Sequence, residues 1–113
     1  MRAIRARHAY DGESFRGAGA TVLVEDGSII GIESYGFQVP GDCLVTDYEG
    51  TLLPGLIDAH THLVADSAVS ALDRVAGYSA EEIEEVISRA LRDQLRAGVT
   101  TVRDLGGPAV LRP

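Results

Sequence analysis

The sequence predicts an α/β protein whose first half is all β, and three observations carry that reading. Short runs rich in β-branched residues, punctuated by Asp-Gly turns, occupy residues 1–50. Two further runs, at residues 56–63 and 99–103, have the character of strands buried inside a parallel sheet. Between them, residues 79–97 carry the clearest helical pattern in the chain.

Taken in order, a first strand is expected over about Arg2–Tyr10, ending at the Asp11-Gly12 turn. Asp26-Gly27 separates Ala20–Glu25 from Ser28–Glu33, and both flanking runs are β-branched, which predicts a β-hairpin. After the loop at Pro40-Gly41-Asp42, another strand is expected at about Cys43–Tyr48. Residues 2–53 should pair antiparallel, and they are too few to complete a sandwich alone. Pro54-Gly55 then turns the chain into Leu56–Leu63, apolar on both parities as far as Ala59. A short helix is expected from Asp66-Ser67 to about Val75.

The long helix has a full set of signals. Ser79 followed by Glu82 forms a capping box that satisfies free N–H groups of the first turn. Ile83, Val86, Ile87, Ala90, Leu91 and Leu95 make one apolar stripe. Glu81, Glu82, Glu84 and Glu85 sit at the positive end of the helix dipole, where an acidic run is a solvated helix start and not an ion site. Gly98 follows as the residue that ends it. Val99–Arg103 is the next strand, closed by Asp104 and Gly106-Gly107-Pro108. Strand, helix, strand makes a right-handed unit with parallel strands. Such a unit needs neighbours on both edges, yet only six residues follow Gly107. The chain is therefore expected to be a truncated piece.

Composition narrows the function. The 113 residues are 45% hydrophobic and 24% charged, which is ordinary for a globular protein and not for a disordered tail. Seventeen acids against ten bases give −7, spread over both halves, so a nucleic-acid backbone is not an expected partner. All the bases are Arg, and Lys, Asn and Trp are absent. Cys43 is the only cysteine, which excludes an internal disulfide or a thiolate metal cage; it reads as a small buried hydrophobe. Without an apolar leader or a run long enough to cross a bilayer, a cytoplasmic protein with no membrane partner is expected.

His60-Thr61-His62 is the central chemical feature. Side chains alternate along a strand, so the two imidazoles project from one face with Cα atoms about 6–7 Å apart. Asp58 shares their parity. Two neutral imidazoles so placed can converge on one metal ion, with zinc favoured. They sit at the carboxyl end of the strand, where parallel α/β folds place ligands, and a buried strand is a poor place for unpaired polar groups. Asp104 ends the second buried strand at the corresponding level, where a substrate-binding role competes with a loop-stabilising one. Arg103 has the opposite parity and should point to the helix layer. His8 is expected to be an ordinary strand residue, and Gly17-Ala18-Gly19 a turn, since a nucleotide loop would need a third glycine and a helix.

The stretch Leu53-Pro54-Gly55-Leu56-Ile57-Asp58-Ala59-His60-Thr61-His62 resembles the first barrel strand of the amidohydrolase superfamily. These are metal-dependent hydrolases on a (β/α)8 barrel that carries a small β-sandwich built from both chain ends. Residues 24–32 resemble the hairpin of that sandwich. Residues 97–107 resemble the second barrel strand, in the form found among imidazolonepropionase-related amidohydrolases and Xaa-Pro dipeptidases. The resemblance implies a partial composite β-sandwich at residues 1–53, then at 54–113 the first β/α/β unit of an incomplete (β/α)8 barrel.

It also implies that His60 and His62 bind the more buried metal of a site holding one or two divalent ions, zinc foremost. Metal-activated water would then attack an amide or related C–N bond in a small dipeptide-like or cyclic amide substrate. The family's other ligands are a strand-four Lys, histidines of strands five and six and a strand-eight Asp. None can be placed here, so no catalytic residue is assigned within this chain, and the piece is expected to be inactive alone. It should form homo-oligomers through its open sheet edges. The competing reading is a short non-enzymatic protein that self-associates in that way and binds metal weakly at most.

Overall fold

In the computed structural model, which describes residues 1–107, the chain separates into two compact units, Met1–Pro54 and a second beginning at Gly55. The first is organised around β1 (Arg2–Tyr10), whose alanines let neighbouring chain approach closely: Ala3 and Ala6 are fully buried and Ala9 nearly so. Antiparallel to β1 run the two-residue β2 (Phe15–Arg16) and β3 (Ala20–Glu25). β3 turns into β4 (Ser28–Glu33) through Asp26 and Gly27, both at positive φ, as the Asp-Gly signal predicts for a hairpin.

One expectation for this unit fails. β5 spans Leu44–Leu52, longer than expected, and pairs with β1 parallel, not antiparallel. Arg2–Ala6 of β1 pair with both β3 and β5, so these lie on opposite edges of β1. The chain leaving β4 must therefore cross the sheet, and parallel pairing requires such a crossover. Residues 34–43 provide it. The Tyr35 carbonyl accepts from buried Thr21 Oγ1 at 3.0 Å, and the Phe37 carbonyl accepts from Arg5 at 2.7 Å. The Arg7 guanidinium lies over the Tyr35 ring, 5.4 Å from its centroid. Cys43, expected in a buried strand, is half-buried just before β5.

The second unit contains β6 (Leu56–Thr61), α1 (Ala71–Val75), α2 (Ala80–Arg96) and β7 (Val99–Asp104). β6 and β7 pair parallel, as a β/α/β unit requires. The capping box forms as the sequence predicts: the Glu82 amide donates to Ser79 Oγ at 3.2 Å, and the Ser79 amide to Glu82 Oε2 at 2.7 Å. α1 is shorter than expected, because Ser67 and Ser70 adopt left-handed backbone (φ 60° and 57°) that no helix accommodates. Val64, Val75 and Ile83 form the core, with Tyr78 and Ile87 against it.

Burial of β6 on both faces is not what is observed. Leu56 is 49% and Ile57 70% exposed, and Leu91 and Leu95 of the helical stripe are exposed as well. A single β/α/β unit offers one helix layer for two sheet faces, so part of its apolar surface has no cover among the described residues. Pro108, the last residue of the expected closing turn, lies outside them.

Candidate metal centre

The site grows out of the carboxyl ends of β6 and β7. The register between them shifts after Asp58: Asp58 pairs with Val102 but Thr61 with Asp104, which leaves one extra residue on β6. This bulge takes the His60 amide out of simple ladder geometry, and the Asp58 side chain supplies its partner, with His60 N donating to Oδ1 at 3.0 Å. The second Asp58 oxygen accepts from Gln94 Nε2 of α2 at 3.3 Å. Asp58 thus braces the strand beneath His60, and its two acceptor oxygens are engaged by protein donors. Bulges beside functional sites commonly re-aim a side chain in this way.

His62 lies one residue beyond the strand, so strict alternation does not by itself bring the two rings together. They nevertheless meet edge-on, with centroids 5.5 Å apart and planes at 66°. His62 Nδ1 lies 2.7 Å from the Gly106 carbonyl oxygen. A carbonyl can only accept, so Nδ1 carries the proton and, in the neutral ring, Nε2 keeps its lone pair. A bond from the non-ligating nitrogen to a backbone carbonyl is the usual way a metal-binding imidazole is oriented.

Two imidazoles on one tetrahedral ion, with bonds of about 2.1 Å, place their centroids roughly 5 Å apart, so this pair fits as part of a ligand set. It does not fill one. Among the described residues no cluster of three or more His, Cys, Asp or Glu side chains is placed to hold an ion. Both histidines line an open cavity of about 450 Å³ with Ala65, Leu72, Ala90 and Gln94 among its other walls.

The other residues singled out by the sequence have local partners of their own or, among the described residues, none. Asp104 accepts the Gly106 amide at 3.0 Å, a bond that shapes the loop after β7. Arg103 is exposed. His8 belongs to the first unit, where its ring stacks on Phe15 at 5.9 Å. Gly17–Gly19 form the turn from β2 to β3.

One cluster escapes sequence reasoning. Asp66 Oδ2 accepts from Arg74 and, at 3.1 Å, from the Tyr78 hydroxyl, while Oδ1 accepts the Ala68 amide. The Ala68 amide above all, then the Tyr78 and Arg74 bonds, holds the Asp66 carboxyl below its ordinary pKa. Desolvation and the Asp66 bond raise that of Tyr78. This triad fastens the loop after His62 to the chain around α1. Its members lie 8 and 12 residues apart, a spacing that carries no helical or strand signature.

The amidohydrolase family profile matches residues 51–112, more than half of the chain. The chain belongs to the amidohydrolase family. It is 36% identical over 98 residues to an imidazolonepropionase of Salinispora arenicola, covering 80% of this chain and 24% of that protein. An imidazolonepropionase of Salinispora tropica is 29% identical over 107 residues, covering 78% and 27%. Among solved structures, an amidohydrolase superposes with a TM-score of 0.75 at 32% identity, over 91% of this chain and 25% of the other. A Xaa-Pro dipeptidase with methionine bound in its active site gives 0.73 at 25% identity, over 93% and 26%. This amidohydrolase chain spans about a quarter of the length of the curated relatives it matches. It corresponds to an N-terminal portion of a superfamily protein, and amidohydrolases generally use divalent metals.

Proposed function

We propose that this chain is the N-terminal part of a metal-dependent hydrolase of amide or other C–N bonds. In this reading His60 and His62 are two of the ligands to a divalent ion, with zinc the first candidate. The observation that carries it is the His62–Gly106 bond, which leaves a ligating lone pair on Nε2 beside a second imidazole at metal-sharing separation. With a divalent ion bound between them, the site would gain Lewis-acid activation of water and of a substrate carbonyl.

The chain's own residues would hold and orient. Asp58 keeps the His60 backbone in its bulge, and the Gly106 carbonyl fixes the His62 ring. As ligands, neither imidazole is free to carry a proton, so in this reading the general base is another group, and the remaining ligands come from the rest of the parent protein. Relatives named imidazolonepropionase and Xaa-Pro dipeptidase favour a cyclic amide or dipeptide-like substrate. The Asp66–Arg74–Tyr78 fastening fits a loop held beside the site. In the same reading, residues 1–53 belong to a composite β-sandwich and the rest opens a (β/α)8 barrel.

The test is hydrolysis of a panel of dipeptides and cyclic amides by the purified 113-residue chain, with added zinc. The expected result is no turnover, since a catalytic zinc takes three protein ligands plus water. Zinc-dependent turnover that disappears in His60→Ala would overturn the claim that the site is completed elsewhere.

A further inference from the structure

The His62 ring owes its orientation to a carbonyl, and that carbonyl sits in a turn. Gly106 has φ +85°, a backbone conformation that side-chain-bearing residues rarely adopt. Three contacts hold the turn in place. The Leu105 amide donates to the Thr61 carbonyl at 2.9 Å, continuing the β6–β7 ladder by one residue. The Gly106 amide donates to Asp104 Oδ1 at 3.0 Å. Gly107 packs on buried Val64, so closely that a Cβ there would come within 2.7 Å of a Val64 methyl. Of the three, only the Asp104 contact is made by a side chain to Gly106 itself, the residue whose carbonyl meets His62.

We infer that Asp104 is a positioning residue for His62. Its carboxylate closes an i to i+2 turn on the Gly106 amide, the turn aims the Gly106 carbonyl at His62 Nδ1, and that bond selects the tautomer whose Nε2 is free to ligate. This inference deepens the proposed metal-binding role and rests on it. It assigns Asp104 to the site without any contact to substrate or metal. The backbone N–H requires only a short side-chain acceptor, so Asn can serve in place of Asp. Ala cannot.

The experiment is long-range 1H–15N imidazole spectroscopy of the metal-free, 15N-labelled chain, about two pH units above the ordinary imidazole pKa of about 6.5. Wild type, Asp104→Asn and Asp104→Ala are compared, and each is then titrated with zinc alone. Wild type and Asp104→Asn should show His62 protonated at Nδ1, whereas Asp104→Ala should show a tautomer mixture. Its zinc affinity should also fall by about tenfold, the lower end of the loss typical of outer-shell partners. His62 protonated mainly at Nε2 in wild type overturns the inference without reference to any variant. So does an Asp104→Ala spectrum identical to wild type, or an Asp104→Asn spectrum as mixed as that of Asp104→Ala. Correct tautomers in a wild-type chain that takes up no zinc would leave the positioning intact and count only against zinc binding by this pair without the remaining ligands.

Discussion

Four aspartates, Asp11, Asp58, Asp66 and Asp104, each accept the backbone N–H two residues further on. The chain has no Asn, so Asp is its residue for this short, turn-forming bond. The consequence depends on what lies at the receiving end. At Asp58 and Asp104 the shaped backbone carries or orients a candidate ligand. At Asp11 it closes the turn after β1, with the Ser14 and Glu13 amides and then Arg16 lowering the carboxyl from 3.8 to about 2. A folded-state value below the unfolded one means the carboxylate stabilises the fold fully above pH 3.8 and ceases to do so as the pH falls towards 2. A carboxyl-detected NMR titration should place the Asp11 midpoint near 2, and the stability difference between wild type and Asp11→Ala should shrink as the pH falls across that interval. A midpoint at the ordinary value would show that the turn does not hold the carboxylate.

At the level of elements, legibility followed locality. β1, the β3–β4 hairpin and α2 were readable to within a residue, because each is specified by neighbours in sequence: a β-branched run, an Asp-Gly pair, a capping box. Ser79→Ala removes the side-chain acceptor for the Glu82 amide and should destabilise α2 by about 1 kcal/mol. A urea midpoint unchanged between the two proteins would show that the box contributes nothing. The parallel pairing of β5 was not readable, since it depends on a crossover whose anchors, Thr21 to Tyr35 and Arg5 to Phe37, join residues 14 and 32 apart. The same division runs through the site. His60 and His62 stand out as a dipeptide-spaced pair, whereas the Gly106 carbonyl that orients His62 lies 44 residues away. The bulge at Ala59-His60 was equally hidden, because the ladder shift exists only once β7 is beside β6.

Over the whole chain, the two units carry different tasks. The first, residues 1–54, contains none of the candidate ligands. The second gathers both histidines and the two aspartates that shape their surroundings, yet leaves Ile57 70% and Leu95 66% exposed. Large apolar side chains left open in this way call for cover. The proposed reading assigns that cover, together with the remaining ligands, to the rest of an amidohydrolase of which relatives show about four times this length. The shared metal site proposed for His60 and His62 can be checked on this chain by itself. Zinc titration followed through the imidazole 15N resonances tests it most directly, because His8 in the first unit serves as an internal control. The Nε2 resonance of His62 and the ring of His60 should shift together, weakly and reversibly by chelation, while His8 stays fixed. Equal shifts at all three histidines, or a shift at His8 alone, would contradict the shared site.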